Sequence, residues 1–207
     1  MDQWETIRKE LRQHPTSFEY LNNIGEAMKM YPEFDVDSLS KGQLYSKLWL
    51  VKELKKISPY YGTVFLLGGW YGMLVEMLFD NMNIDKIHSF DLDETACKIA
   101  DEINLNHVID SWRFKAFVKN INELDYSEAD TIINTSTEHI NENTWFDSIP
   151  TKKLIIIQSN NLTSIEDHTN CVKNEYELKE KYKLSEYYFQ GELDVVDYKR
   201  FMIIGRK

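Results

Sequence analysis

A short apolar strand that runs into clustered glycines is the feature that most restricts the folds open to this chain. Residues 63–67 read Thr-Val-Phe-Leu-Leu, and Gly68, Gly69 and Gly72 follow at once. An apolar run of this length that stops at glycines predicts a buried strand entering a tight turn, and the apolar residues 73–79 predict a helix after it. The chain is therefore predicted to form a strand, a glycine turn and a helix in close succession.

An acidic residue at the end of the second predicted strand indicates that the glycine turn belongs to a ligand site. Strand 86–90 is followed by Asp91, 19 positions after Gly72. Bare glycine backbone lets a ligand approach a helix N terminus, and a carboxylate at this distance accepts hydrogen bonds from ribose hydroxyl groups. Without a ligand, the glycines would only make a turn and the acids would only cap the next helix. Asp93 is the better cap, and Asp91 is the better ribose ligand of a nucleoside-type cofactor.

Alternation of strands and helices along the rest of the chain predicts an α/β fold. The continuous apolar residues 154–157 are typical of a parallel strand that is covered on both faces. The short linker 194–199 predicts that the last two strands form an antiparallel hairpin. With right-handed crossovers, helices would lie on both faces of the sheet. The predicted strands are 63–67, 86–90, 114–118, 131–134, 153–158, 186–193 and 200–205, and the predicted helices are 73–79, 94–105, 144–148 and 175–182.

Three helices are predicted before the first strand, over residues 3–13, 17–30 and 41–57. Pro15 stops the first of these helices, and the second ends before Pro32, because proline lacks the N–H that continues a helix. The predicted parts of the chain are an N-terminal helical cover, residues 1–58, and a Rossmann-like domain, residues 59–207.

Composition restricts the partners of this chain. Asp and Glu number 34 against 24 Lys and Arg, a net charge of −10, which argues against a nucleic-acid binder with a broad basic face. Cys97 and Cys171 lie outside any CxxC motif, so we predict neither a disulfide framework nor a structural zinc site. There is no run of roughly 20 apolar residues and no signal-peptide core, so a cytoplasmic protein without a membrane partner is expected. No feature indicates an oligomeric state.

These residues resemble the class I S-adenosylmethionine-dependent methyltransferase family, from about Gln43 to the end of the chain. In that family the glycine turn, here residues 68–72, meets the methionine part of the cofactor. The acid that ends the second strand, here Asp91, binds the ribose. The family has a seven-stranded sheet whose last strand is inserted antiparallel, which the predicted hairpin would supply. The resemblance therefore implies a Rossmann-like, mostly parallel sheet and S-adenosylmethionine as the cofactor.

Two further segments carry the resemblance. Residues 117–121 follow the third strand, where the family contacts adenine, and residues 129–139 resemble the fourth strand, whose end faces the substrate. Asn120 would otherwise only make a turn. A chain of this kind also resembles small methyltransferase-like proteins of phage genomes. The cofactor-binding residues that the resemblance implies are Gly68, Gly69, Trp70, Gly72, Asp91, Asn120 and Asn134.

Two positions depart from the family pattern. Family members usually carry an acid two residues before the first glycine, where this chain has Leu66. In the family this acid helps to anchor the amino group of the cofactor, so either another group anchors it here or the ligand binds in a different position. Lys47 or Ser46, on the predicted helix before the sheet, would bind the cofactor carboxylate; alternatively, both are ordinary surface residues. Trp70 replaces the family's second glycine. Its ring would either stack on the sulfonium as a cation–π contact or block the site.

His139 is the residue predicted to act as a general base. It lies just after predicted strand 131–134, on the side of the sheet where ligands bind. Imidazole gains and loses protons near neutral pH, as a base for a methyl acceptor requires. The alternative is a histidine that only shapes the loop. Glu138 is predicted to be solvated. His139, His168 and the scattered acids lack metal-ligand spacing along the chain, so we predict no metal.

The predicted reaction is methyl transfer to a small polar molecule. The sequence has no P-loop, no GxSxG elbow and no Asn-Pro-Pro-Tyr box of the kind that amino-methylating DNA and protein enzymes carry. Because the sulfonium already activates the carbon, the protein mainly has to align the acceptor and exclude water. Leu66 and Trp70 keep two alternatives open. One is another S-adenosylmethionine chemistry, as lyase or in aminocarboxypropyl transfer, and the other is a non-catalytic module of the same fold.

Overall fold

One sheet organises the part of the chain that the structure, a computed structural model, describes, namely residues 18–141, 144–195 and 197–207. Its seven strands follow the order β3-β2-β1-β4-β5-β7-β6, and β7 alone runs antiparallel to its neighbours. The predicted α/β fold with a C-terminal antiparallel hairpin is confirmed. The strands are β1 (Tyr60–Leu67), β2 (Asn83–Asp91), β3 (Phe114–Val118), β4 (Thr131–Asn134), β5 (Leu154–Asn160), β6 (Glu186–Val195) and β7 (Tyr198–Arg206).

The helices agree with the sequence prediction in place, with shifted ends. The predicted helix 94–105 divides in two, and the predicted helix 3–13 lies outside the described residues. No helix among the described residues is long and apolar enough to cross a membrane. The helices are α1 (Phe18–Met30), α2 (Lys41–Leu54), α3 (Val75–Asn81), α4 (Glu94–Ile103), α5 (Leu105–Ile109), α6 (Thr144–Ser148) and α7 (Glu175–Lys181), and short 3-10 turns cover Val36–Leu39, Ile121–Glu123 and Thr137–His139.

Both faces of the sheet are covered by apolar side chains. Successive strand residues point to opposite faces, so Val64 and Leu66 belong to one layer and Phe65 and Leu67 to the other. In β5, Leu154 and Ile156 alternate with Ile155 and Ile157 in the same manner. This double covering is why the sequence of β5 is continuously apolar, and it leaves ligands only the edge of the sheet where the parallel strands end.

The predicted N-terminal cover packs in two different ways. In α1, Tyr20, Ile24 and Ala27 contact Ile99 and Ile103 of α4, outside the sheet layers. Helix α2 instead packs on the sheet itself, in the same buried cluster as β1. The division of the chain at residue 58 remains a prediction. The position of α2 matters for function because its first turns reach the edge of the sheet where β1 and β4 end.

Candidate functional site

A cleft of about 860 Å³ lies at the carboxyl ends of the parallel strands. Its walls include residues that follow β1, β2, β3 and β4, together with part of α2. In the sheet order, β1 is flanked by β2 on one side and by β4 on the other, so the chain reverses direction of travel across the sheet at this point. Ligands of open α/β sheets bind at such a switch point, and the volume lies within the usual range of ligand pockets, roughly 300–1,000 Å³.

The glycine turn forms one wall of the cleft and is fastened to β2. The N–H groups of Gly68 and Gly69 donate to the carbonyl O of Phe90 at 2.9 and 3.3 Å. Gly68 has a φ of 59°, a conformation that glycine adopts without strain. At Gly69 an added Cβ would overlap Ser89 Oγ, so only glycine lets the turn lie this close to β2. Gly68 and Gly69 line the cleft, as the sequence analysis expected.

Gly72 does not line the cleft. Its φ is 66°, and a Cβ there would lie 2.7 Å from Asn104 Nδ2. Asn104 Nδ2 also donates to the carbonyl O of Gly72 at 3.3 Å. Gly72 therefore lets the start of the following helix pack against the end of α4. In this structure its role is in packing, and the cofactor contact that was predicted for it remains a prediction.

Asp91 faces the cleft and also holds the glycine turn. Its Oδ2 accepts the N–H of Trp70 at 2.9 Å, and its Oδ1 accepts the N–H of Asp93 at 3.1 Å. A carboxylate offers about four acceptor positions, so two remain for a ligand. The side chain is half-buried at the cleft wall, where such positions are open to a bound molecule.

Trp70 lines the cleft without closing it. Its φ of 47° is unusual for a residue with a side chain, and its ring packs on Tyr71 with centroids 4.7 Å apart at 31°. Tyr71 packs in turn on Phe34, at 5.0 Å. The cleft stays open beside the indole, which is one of its lining groups. The ring is held against its aromatic neighbours, and Trp70 forms part of the wall.

Of the two candidate residues on α2, Lys47 lines the cleft and Ser46 does not. Lys47 Nζ donates to the carbonyl O and to Oε1 of Gln43, at 3.3 and 2.7 Å. Burial and, to a smaller extent, the nearby charge of Arg200 together lower the pKa of Lys47 from 10.5 to about 7, against opposing effects of acids such as Glu138. Ser46 is 2% exposed, and its Oγ donates to the carbonyl O of Gln43 at 2.9 Å.

The two asparagines differ in their access to the cleft. Asn120 lines it, and Asn120 Oδ1 accepts the N–H of Asn122 at 3.0 Å, so this residue also caps the turn after β3. Asn134 is fully buried at the end of β4 and does not line the cleft. Its Oδ1 accepts the N–H of Ser136 at 3.0 Å. Asn134 therefore shapes the chain after β4 and is not placed to touch a bound cofactor.

His139 lines the cleft on the exposed 3-10 turn after β4, whereas Asp91 ends β2, on the other side of β1 in the sheet. Its ring lies edge-on to that of His168, with centroids 4.6 Å apart at 84°. His168 is half-buried, and its Nδ1 is 2.8 Å from the carbonyl O of Leu162. The fold thus brings together two histidines that are 29 positions apart in the sequence.

Glu138 is buried, and the prediction that it would be solvated is wrong. It is 1% exposed, and its Oε1 accepts from Asn160 Nδ2 at 2.7 Å and lies 3.4 Å from Arg200 Nη2. Arg200 is 4% exposed and donates from Nη1 to the carbonyl O of Thr135 at 3.1 Å. This buried pair was not predicted from the sequence. The available indication was an arginine immediately before the apolar residues 201–204.

Several solved structures with the same fold are methyltransferases of low sequence identity to this chain. N-methyltransferase NodS from Bradyrhizobium japonicum WM9, in complex with S-adenosyl-l-homocysteine, is 11% identical with a TM-score of 0.65, over 89% of this chain and 98% of NodS. Magnesium protoporphyrin IX methyltransferase (ChlM) from Synechocystis PCC 6803, with bound S-adenosylmethionine, is 12% identical with a TM-score of 0.64, over 100% of this chain and 98% of ChlM.

A third similar structure contains a metal. Geranyl diphosphate C-methyltransferase from Streptomyces coelicolor A3(2), in complex with Mg²⁺, a geranyl-S-thiolodiphosphate and S-adenosyl-l-homocysteine, is 12% identical with a TM-score of 0.62, over 79% of this chain and 76% of that one. No family model and no curated protein matches the sequence. At this level of identity the likeness establishes the fold. This chain has the Rossmann-like fold of the S-adenosylmethionine-dependent methyltransferases.

Asp93 caps α4, as the sequence analysis expected. Its Oδ1 accepts the N–H groups of Thr95 and Ala96 at 2.7 and 3.1 Å. Replacing Asp93 with alanine should lower the free energy of unfolding by about 1 kcal/mol, because two N–H groups of the first turn lose their acceptor. Urea denaturation would measure the change. Asp93→Asn, which keeps a capping oxygen, is the matched control and should stay close to wild type; an equal loss in both variants would contradict the capping role.

Proposed function

We propose that this protein is an S-adenosylmethionine-dependent methyltransferase that acts on a small polar molecule. The observation that carries the proposal is Asp91, which binds the N–H of Trp70 and still faces the cleft beside Gly68 and Gly69. This arrangement provides acceptors for ribose hydroxyl groups next to a bare stretch of backbone. The similar structures that contain S-adenosylmethionine or S-adenosyl-l-homocysteine support the same cofactor here.

We propose that different residues of the cleft bind different parts of this cofactor. Asp91 would bind the ribose, and the backbone of Gly68 and Gly69 would lie along the methionine part. The turn at Asn120, which follows β3, would lie against the adenine. Lys47 also lines the cleft, and we propose that it binds the cofactor carboxylate. This contact would help to hold the methionine part of the cofactor, because this chain has Leu66 where the family usually has an anchoring acid.

At the other end of the cleft, His139 is the residue that we propose activates the acceptor. S-adenosylmethionine supplies a methyl carbon that the sulfonium has already activated. The protein therefore has to align the acceptor and exclude water, and the half-buried and buried groups around His139 provide polar contacts for this purpose. Glu138, Arg200 and His168 also line this end, which favours an acceptor that carries polar groups. The cytoplasmic location and the narrower resemblance to phage proteins remain predictions from the sequence.

Calorimetry with S-adenosylmethionine and S-adenosyl-l-homocysteine tests the proposal directly. We expect saturable binding of both, with one molecule per chain, because a single cleft contains the cofactor residues. Circular dichroism before each titration would confirm that the protein is folded. Absence of binding of both molecules to folded protein would overturn the proposal.

Proton uptake on cofactor binding tests the role of Lys47. With its pKa lowered from 10.5 to about 7, Lys47 is mostly neutral at pH 8 in the free protein. A bound carboxylate beside it favours the charged form and raises this pKa, so binding should take up protons at pH 8. Calorimetry with S-adenosyl-l-homocysteine in two buffers of different ionisation enthalpy would measure the uptake. Lys47→Met should remove it, and an unchanged uptake in this variant would contradict the assignment.

The lowered pKa of Lys47 should also change the stability of the protein with pH, and this change is a control for the proton-uptake experiment. Between about pH 7 and pH 10 the unfolded chain holds the Lys47 proton and the folded chain does not. The free energy of unfolding of wild type should therefore rise with pH across this window relative to Lys47→Met. A flat difference between the two proteins would show that Lys47 keeps an ordinary pKa, and the uptake experiment would then be expected to fail as well.

Trp70 motivates a second candidate function with the same cofactor. Its ring forms the wall beside the glycine turn, where the family pattern has a glycine. A tryptophan in place of this glycine would change the surroundings of the sulfonium, and such a change would suit lyase chemistry or transfer of the aminocarboxypropyl arm. Product analysis separates the cases, because methyl transfer yields S-adenosylhomocysteine and the alternatives yield methylthioadenosine. We expect S-adenosylhomocysteine.

A further inference from the structure

Three potential metal ligands meet at the acceptor end of the cleft. Glu138 and His139 lie on the turn after β4, and His168 lies on the loop after β5. Each offers one ligand atom, and the three atoms lie within 4.8 Å of one another. The loops meet here because β4 and β5 are parallel neighbours, so both strands end at the same edge of the sheet. Spacing along the sequence gave no sign of this cluster.

We propose that Glu138, His139 and His168 bind a divalent transition-metal ion. Two imidazoles and one carboxylate form a ligand set that suits first-row transition metals such as iron, cobalt, manganese or zinc, and three protein ligands leave further coordination positions open. Magnesium and calcium prefer ligand sets made of oxygen atoms alone. The prediction of no metal from the sequence is thereby reversed in our proposal.

The carboxylate of Glu138 has a free oxygen in the interior. Glu138 is 1% exposed, and within the described residues Oε2 has no hydrogen-bond partner. A buried carboxylate oxygen without a partner is costly, because it has lost its hydration and gained nothing in exchange. A cation between Glu138 and the two histidines would supply the missing partner. This observation is independent of the spacing of the three ligand atoms.

Hydrogen bonds with neighbouring residues hold the side chains of Glu138 and His168 in orientations that suit metal binding. Asn160 Nδ2 holds Glu138 Oε1 at 2.7 Å, which leaves Oε2 as the ligand atom. His168 Nδ1 lies 2.8 Å from the carbonyl O of Leu162, and a carbonyl can only accept. Nδ1 therefore carries the hydrogen in this contact, and Nε2 keeps its lone pair for an ion. Partners of this kind fix the orientation of metal-binding side chains.

Arg200 limits the affinity of the site and does not remove it. Its Nη2 lies 3.4 Å from Glu138 Oε1, so the guanidinium offsets part of the negative charge that would attract the ion. The ion would contact the other oxygen, and the two histidines would supply the remaining protein ligands. We therefore expect an ion that exchanges with solution and can be removed by a chelator.

The role of the ion rests on the proposed function. Its open positions would face the cleft, where an oxygen of the acceptor could occupy one of them. An ion bound there would lower the pKa of a hydroxyl group attached to it, so that the hydroxyl could release its proton to water in the open cleft before methyl transfer. A ligated imidazole has no free lone pair, so His139 would activate the acceptor through the ion and would not be the base itself.

Cobalt(II) titration of the full-length protein, monitored by visible absorption, tests the site without any cofactor or substrate. We expect one cobalt per chain, with a d–d spectrum of nitrogen and oxygen ligands. His139→Ala and His168→Ala should each weaken cobalt binding by at least tenfold, because each removes one of three ligands. His139 is exposed, so its replacement should leave the fold intact. His88→Gln removes an imidazole from β2, outside the cluster, and should bind cobalt like wild type.

The thiol of Cys171 needs its own control, because its Sγ lies 3.4 Å from Asn160 Oδ1, close to the cluster. Cys171→Ser should keep the cobalt spectrum, since no thiolate belongs to the proposed ligand set. No saturable cobalt binding, or equal binding in wild type, His139→Ala and His168→Ala, would overturn the proposal. So would a spectrum that Cys171→Ser abolishes.

The metal site and the cofactor site can fail separately. Cobalt binding with no binding of S-adenosylmethionine would support the metal site and refute the proposed function. Cofactor binding in wild type with no cobalt binding would refute the metal site alone. Calorimetry with S-adenosylmethionine after chelator treatment links the two: cofactor affinity should stay within a few-fold of that of untreated protein, because Asp91 and Lys47 do not belong to the cluster.

Discussion

Replacing Arg200 with methionine should lower the free energy of unfolding by about 3–5 kcal/mol, the range for breaking a buried ion pair. Arg200 and Glu138 are 4% and 1% exposed. Without the guanidinium, the Glu138 carboxylate stays in the interior with much less compensation, and the carbonyl O of Thr135 loses its donor. Urea denaturation followed by circular dichroism would measure the change.

The neighbouring residue provides a matched control for Arg200. Lys199 pairs with Glu192 on the surface, where solvent screens both charges, so Lys199→Met should change stability far less than Arg200→Met. The double variant Arg200→Met/Glu138→Leu should recover much of the loss, because an apolar pair no longer leaves a charge buried. If Arg200→Met were as stable as Lys199→Met, the buried pair would not contribute to stability as described.

Replacing Asp91 with alanine should weaken binding of S-adenosyl-l-homocysteine by about 1.5–3 kcal/mol, roughly 10- to 150-fold. The ribose loses hydrogen bonds to a charged group, and the N–H of Trp70 loses the acceptor that fixes the glycine turn. Calorimetry would measure the affinity. Asp91→Asn, which keeps one carbonyl oxygen, should lie between alanine and wild type.

Asp93→Ala is the matched control for Asp91, because the two acids are two positions apart and only one faces the cleft. It should keep the affinity for S-adenosyl-l-homocysteine and lose helix capping. The opposite pattern, in which Asp93→Ala weakens binding and Asp91→Ala only lowers stability, would contradict the position of the ribose at the end of β2.

The order of strands and helices could be predicted because the information is local. Residues 63–72 contain both an apolar strand and the glycines that end it, and residues 154–157 are apolar without interruption. The first residues of β1 and β2 were missed because they do not form a continuous apolar run and because their pairing joins two separate segments. Tyr60 pairs with Asn83 across the two strands, and Tyr60 Oη donates to Asp85. Neither residue shows this in its own segment.

The positions of some site residues are determined by local sequence, and those of others are determined by contacts with distant segments. Gly68, Gly69 and Asp91 could be placed because a turn and a strand end determine their positions. Ser46 and Asn134 were assigned to the right elements, but their side chains point into the protein. Glu138 was judged from its immediate neighbours, whereas its burial depends on Arg200, 62 positions later. Pairing of this kind cannot be read from a single segment.

Because β7 is the last strand of the chain, the sheet and the site can be completed only late in synthesis. β7 follows β6 in sequence but lies between β5 and β6, so β6 cannot join the sheet on the ribosome until β7 has emerged. Arg200 arrives on that same strand. A nascent chain that stops before Arg200 therefore has an unpaired β5 edge and a Glu138 without its cation, and both features disfavour the folded state and promote aggregation or degradation. We therefore expect the part of the cleft that contains Glu138 and Arg200 to form only after β7 has emerged.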